Sequence, residues 1–249
     1  MKRITVCALC CVLLSVLLVP CFALSESEED VLAYDRPLLV NRDYPIDVSL
    51  VPADLVQLSE VLDPSIKLKT KGIMAVRTAA EALDVMLSAA RAEGISNWQV
   101  GTAYRSSKEQ QRILDNKIAA YRKQNPGWSR AKARSAALRT VQEPGCSEHQ
   151  LGLAFDINVP GRSFKGTKQC TWLHEHCWEY GFILRYQEGK ESITGISAEA
   201  WHIRYVGVDH SLYMRDHDLC LEEYLADYPE PDPQEFVVED IPLEELFAS

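Results

Sequence analysis

Residues 147–156 read Ser147-Glu148-His149-Gln150-Leu151-Gly152-Leu153-Ala154-Phe155-Asp156. The apolar run from Leu153 to Val159 follows a Glu143-Pro144-Gly145 turn and predicts a short buried strand. That strand carries a carboxylate, Asp156, shortly after an imidazole, His149. Gly152 and Ala154 between them are small, which lets the backbone pass close to whatever the two side chains hold. A second segment has the same character. In Glu199-Ala200-Trp201-His202-Ile203-Arg204-Tyr205, a strand is predicted over Ala200–Val206, with an acid three residues before an imidazole.

Outward from these segments, helices and short strands are interspersed. Ile73, Val76, Ala80, Leu83, Leu87 and Ala90 alternate spacings of three and four, one apolar face of a helix that Gly94 stops. Trp98–Tyr104 reads as a strand. Ser106–Gln124 has helical composition and ends before Pro126, and Ser129–Thr140 predicts a further helix with Ser129 as its N-cap. Trp172–Tyr180 reads as a helix stopped by Gly181, Phe182–Tyr186 as a short strand, and Leu219–Ala226 as a closing helix. The strands lack regular βαβ spacing, so the expected class is α+β.

The chain of 249 residues is 47% hydrophobic and 25% charged, ordinary for a globular protein. Its net charge of -10 argues against nucleic-acid binding, which needs concentrated positive charge. Eight acids and no base fall between Asp227 and Ser249, leaving the rest near balance, so the acidity says little about a substrate. Arg112–Arg139 holds eight bases and one acid. It reads as the solvated faces of two helices rather than as a patch for anionic polymers.

Met1-Lys2-Arg3 followed by the apolar run Ile4–Leu24 has the layout of a secretory signal, with a small-residue cleavage site after Ala23. The run is also long enough, at about 20 residues, to stay as a membrane anchor, and lipidation at Cys21 is a third outcome. Each places the body outside the cytoplasm. The expected organisation is a signal peptide or anchor (1–24), a linker (25–37), one domain (38–226) and a flexible acidic tail (227–249). Beyond the leader, Cys146, Cys170, Cys177 and Cys220 allow up to two disulfides, or stay as small buried thiols. A four-thiolate zinc site is disfavoured because no CxxC spacing occurs.

A hydrolytic zinc site needs three protein ligands, an open position for water, and a separate carboxylate to take the water's proton. His149, Asp156 and His202 offer two nitrogens and one oxygen, and Glu199 stands beside them as base. Read one by one, each has an ordinary structural role: a core or surface histidine, a turn-capping aspartate, a helix-face glutamate. No HExxH is present. His174 and His176, two apart on a helix, read as surface residues. His210 and His217 receive no role, and Trp172, Trp178 and Trp201 read as core or pocket wall.

The pattern S-x-H-x-x-G-x-A-x-D followed by E-x-W-H resembles the zinc D-alanyl-D-alanine carboxypeptidases of the vancomycin-resistance type. Their group of peptidoglycan-cutting metallopeptidases also includes D-Ala-D-Ala dipeptidases and L,D-carboxypeptidases. The resemblance runs from about Leu38 to Leu225. It takes in Leu39-Val40-Asn41, Tyr104-Arg105-Ser106 with Gln110, Pro144-Gly145-Cys146, Tyr180-Gly181-Phe182 and Tyr205-Val206-Gly207. It implies one zinc ion on His149, Asp156 and His202, with Glu199 as general base. Arg105 is implied at the substrate and the developing oxyanion, and Gln110 and Ser147 near the substrate's terminal carboxylate. Ala200 stands where a proline is frequent and Ile203 where a tyrosine is frequent, which bears on fine substrate positioning.

The expectation is therefore a single compact α+β domain with a small, mostly antiparallel sheet that carries the zinc site, flanked by helices. It acts as a monomer at the bacterial cell surface on peptidoglycan stem peptides ending in D-Ala-D-Ala. Alternatives are an L,D-carboxypeptidase, a D-Ala-D-Ala dipeptidase or a non-catalytic wall-binding module on the same site. A serine peptidase built on Ser129-Arg130-Ala131-Lys132 lacks a following KTG.

Overall fold

The computed structural model describes residues 36–227. The expected leader, nearly all of the linker, and the tail beyond Asp227 lie outside the described residues. β1 (Leu55–Gln57) runs into the one-turn helix α1 (Leu58–Val61), and β2 (Lys67–Leu68) and β3 (Met74–Val76) precede the long helix α2 (Arg77–Ala92). β4 (Gln99–Thr102) leads to α3 (Ser107–Gln124) and α4 (Arg130–Ala137). A 3-10 turn, Glu148–Leu151, opens β5 (Ala154–Asn158). Then follow α5 (Lys168–His176), a second 3-10 turn (Cys177–Tyr180), β6 (Phe182–Leu184), α6 (Glu191–Thr194), β7 (His202–Tyr205), α7 (Val208–Asp216) and α8 (Leu221–Asp227).

Five strands form one sheet in the order β2-β4-β5-β7-β6. The α+β expectation holds, with a parallel edge: β2 pairs with β4 in parallel, and the other three pairings are antiparallel. β1 and β3 make a separate antiparallel pair. Side chains alternate across a strand. In β5, Phe155 and Ile157 are fully buried in the core, which turns Asp156 to the opposite face. In β7, Ile203 lies in the same core, which turns His202 and Arg204 to the Asp156 side. The register sets Asp156 directly opposite His202 and, on its other side, opposite Thr102. Cross-strand neighbours have Cβ atoms about 4.5–5.5 Å apart, so the pairing alone brings two of the candidate ligands together.

The apolar face of α2 buries Ala79, Ala80, Leu83, Met86, Leu87 and Ala90. Ile73 and Val76 match the helical spacing but precede the helix, because β3 is held as a strand by β1. Leu83 is fully buried. Leu83→Ala is expected to cost about 2–5 kcal/mol through lost burial and the cavity left behind. A urea titration checks this: the midpoint should fall with the slope unchanged.

α3 and α4 pack on each other around Leu114, Ile118, Ala133 and Ala137, a small cluster separate from the main core. Each starts on a serine cap: Ser106 Oγ accepts from Glu109 N, and Ser129 Oγ accepts from Lys132 N. The Ser129–Lys132 pair is thus an exposed helix cap, not a nucleophile and its base. The bases of this region face solvent, and three of them are paired: Arg112 with Glu109, Arg130 with Asp115, and Arg134 with Glu143. Cys146, Cys170, Cys177 and Cys220 are all buried free thiols. Among the described residues no helix is long and apolar enough to cross a membrane.

Candidate metal centre and its cleft

The 3-10 turn that presents His149 is pinned from behind. Gln150 Nε2 donates to the carbonyls of Asp47 (2.9 Å) and Leu50 (3.3 Å), and Gln150 Oε1 accepts from Gly145 N. The turn ends at Gly152 with φ +69, the left-handed region that glycine enters at little cost. A Cβ there would meet Leu55 Cδ2 at 3.0 Å and Val76 N at 3.2 Å. Gly152 is therefore small because it packs against β1 and β3, and not to admit a metal as its position in the sequence suggested. Ala154 is likewise fully buried, opposite Arg204 in the sheet.

His149, Asp156 and His202 come together as expected: one donor atom from each lies within 4.8 Å of the others. His149 Nδ1 sits 2.7 Å from the Ala103 carbonyl and donates to it, which leaves Nε2 with its lone pair toward Asp156 Oδ1 at 3.7 Å. His202 uses the other edge of its ring, with Nδ1 3.3 Å from Asp156 Oδ1. The two rings meet edge to face, 5.0 Å between centroids. Both histidines are buried.

Electrostatics bind the three into a unit. Burial and the Arg105 guanidinium hold His149 down to about 4, so it is a neutral ligand. Burial also works against protonating His202, but Asp156 and Glu148 outweigh it and bring the ring up to about 9, so a metal ion competes with a proton here. Burial would raise Asp156, yet His149 and His202 keep it well below the usual carboxylate range. Two imidazoles and a carboxylate converging on one buried point are a donor set that fits a small divalent ion of the zinc type.

Glu199 lies just outside that set, its Oε2 3.8 Å from His202 Nδ1. Burial pushes its carboxyl up to about 7, although His202 and Arg105 pull the other way. Arg105 enters from the end of β4, with Nη2 3.8 Å from Asp156 Oδ2 and Nη1 donating to Gln110 Oε1 at 2.6 Å. Gln110 is fixed in turn by donating to the Gln142 carbonyl at 2.6 Å. Arg105 Nε is buried without a protein partner. Gln110 therefore orients Arg105, and its own amide is spent on the protein. Ser147, Arg105, Glu199 and the three candidate ligands all border one cavity of about 460 Å³.

Sequence reasoning missed three participants. Tyr186 lines the cavity and packs on the His202 ring, 4.9 Å between centroids. Glu148 lies behind His202, with Oε2 3.8 Å from Nε2. Ala103 contributes only a backbone carbonyl, which no side-chain pattern can announce. Two expectations need correction. His174 and His176 are half-buried rather than exposed; His174 Nε2 lies 2.8 Å from the Ala200 carbonyl and supports the loop that carries Glu199. Ile203 is in the core, so this departure from the usual tyrosine faces away from the cleft.

The sequence matches the family VanY, D-alanyl-D-alanine carboxypeptidase, over residues 73–208. It is 39% identical over 188 residues to a D-alanyl-D-alanine carboxypeptidase of Enterococcus faecalis, a match covering 76% of this chain and 65% of that one, just under two thirds of the relative. The fold is similar to vancomycin resistance D,D-pentapeptidase VanY from a VanB-type cassette in complex with Zn(II), with a TM-score of 0.65, 40% identity, and coverage of 76% of this chain and 97% of that one. It is also similar to the LdcB LD-carboxypeptidase, with a TM-score of 0.64, 33% identity, and coverage of 77% and 86%. Sequence and fold agree across these matches, and the chain belongs to the VanY family of D-alanyl-D-alanine carboxypeptidases.

Proposed function

We propose that this protein removes the terminal D-alanine from peptidoglycan stem peptides ending in D-Ala-D-Ala, using one zinc ion held by His149 Nε2, Asp156 and His202 Nδ1. The observation that carries the reading is the placement of Glu199 beside His202 and of Arg105 beside Asp156, with all four on one cavity. Zinc, when bound, supplies Lewis-acid polarisation of the scissile carbonyl and acidifies water to a pKa of about 7.

The chain's own groups do the rest. The Glu199 carboxylate accepts a proton from the attacking water as the new C–O bond forms. It returns that proton to the amide nitrogen as the C–N bond breaks, so the leaving D-alanine departs as an amine. The Arg105 guanidinium, held in place by Gln110, donates to the oxygen on which negative charge develops. The substrate's terminal carboxylate is drawn to the same guanidinium, with Ser147 beside it on the cavity wall.

A second cavity of about 510 Å³ shares Tyr186, Glu199 and Trp201 with the first. The cleft thus continues past the base, which supports a longer peptide rather than a free dipeptide as substrate. The apolar segment 4–24 supports action outside the cytoplasm, either free or tethered to the membrane. The test is D-alanine release from a pentapeptide ending in D-Ala-D-Ala, using the full chain. Release should stop with a chelator and return with added zinc. Zinc binding without release from the pentapeptide, but with release from a tetrapeptide, would overturn D,D specificity in favour of an L,D cut.

A further inference from the structure

Beneath His202 lies a cluster of buried charge that the reaction does not use directly. Glu148 and Arg185 are fully buried side chains, and Arg204 nearly so. Arg185 Nε donates to Glu148 Oε1 at 2.7 Å, and Arg204 Nη1 lies 3.3 Å from the same oxygen. Arg185 places its two terminal nitrogens on the two oxygens of Glu222, 2.7 Å each. Asn41 Nδ2 donates to Glu222 Oε1 at 3.2 Å, and Arg204 Nη2 donates to the Leu38 carbonyl at 3.2 Å. Two acids and two guanidiniums thus cancel in charge, and they join the Glu148–Leu151 turn, the end of β6, β7, α8 and the segment around Leu38 and Asn41.

One oxygen of this cluster is left over. Glu148 Oε2 is buried without a hydrogen bond, and so is His202 Nε2, 3.8 Å away. A metal-binding imidazole characteristically donates its second N–H to a carboxylate or carbonyl, which fixes both tautomer and ring orientation. His149 does this through Ala103 O. We propose that Glu148 is the corresponding positioning residue for His202, its charge held in place by Arg185 and Arg204 so that His202 keeps its proton on Nε2 and offers Nδ1 to the metal. The inference rests on the zinc reading above and deepens it: the two ligand histidines are oriented by unlike partners, one by a neutral carbonyl and one by a carboxylate anchored in a charge network. A buried carboxylate with two guanidiniums on one oxygen has its other oxygen free for this purpose.

The experiment compares two variants of the full chain that break the same network, Glu148→Gln and Arg204→Met. Zinc affinity is measured by competition with a chromophoric chelator, and melting temperature is followed in the metal-free protein. Both variants should melt lower than wild type. Glu148→Gln should also bind zinc more weakly, by roughly 10–100-fold, the usual cost of losing such an outer partner, and Arg204→Met, which leaves Arg185 on Glu148, by clearly less. In zinc-loaded wild type, imidazole nitrogen shifts should show the His202 proton on Nε2. The charge-balanced double variant Glu148→Gln/Arg204→Met guards against misfolding of the single one, and it should regain stability without regaining zinc affinity. Equal zinc affinity in both single variants, recovery of affinity in the double variant, or failure of the double variant to fold would assign Glu148 a purely structural role. Failure of the wild type to bind zinc would instead refute the metal reading itself.

Discussion

His149→Ala and His202→Ala should each lose zinc and D-alanine release together. Removal of an outer partner costs a zinc site roughly 10–100-fold in affinity, so removal of a direct ligand should cost more than that. The cause is local. The three donors converge within 4.8 Å because one is fixed on the 3-10 turn and two face each other across the β5–β7 ladder. With either imidazole gone, two ligands remain and neighbouring side chains have no replacement nitrogen to offer. Equilibrium dialysis against zinc, followed by the pentapeptide assay on the same sample, reads both quantities. A variant that kept full activity without stoichiometric zinc would refute the donor assignment. The circular dichroism of the metal-free variants should match wild type, since both rings sit beside the core rather than in it.

Glu199→Gln should do the opposite to the metal. Glu199 Oε2 stands 3.8 Å from His202 and outside the converging set, so zinc affinity should stay close to wild type. The rate constant for release should fall by about 10²–10⁴, the usual contribution of a positioned proton acceptor. The neutral amide has the same shape, so KM should change far less than kcat, because what is lost is made only in the transition state. Pre-steady-state release of D-alanine from zinc-saturated protein separates the two. A loss of zinc in Glu199→Gln would make Glu199 a ligand, and an unchanged rate would place the base elsewhere.

How much of this could be read in advance differs from element to element. The metal donors were legible because two of them lie in strands whose apolar neighbours, Phe155, Ile157 and Ile203, announce burial. Their pairing was not, since period-2 patterns give the face of a strand but not its partner. α3 was legible from its composition, and α4 from its serine cap, Ser129. The start of α2 was not: Ile73 and Val76 obey helical spacing by coincidence while β1 holds β3 extended. β1, β2 and β3 have three, two and three residues, too few for any periodicity to show. α7 was missed because its buried residues, His210, Ser211 and Met214, are mostly polar, so its inner face does not look like one. Glu148 sits inside the motif with no role that the local sequence announces, because its partners Arg185 and Arg204 lie far along the chain. The one signal was that Arg185 stands between Leu184 and Tyr186 and Arg204 between Ile203 and Tyr205, apolar stretches where a buried charge demands a counter-charge.

The helix pair α3–α4 supplies one wall of the cleft but keeps a small core of its own, four fully buried side chains against the large cluster that holds the sheet. Stability is not uniform in such an arrangement, and a lightly packed unit opens at a lower free energy than the whole molecule. The wall with Gln110 is therefore the compliant side of the cleft, while the β5–β7 wall is the rigid one.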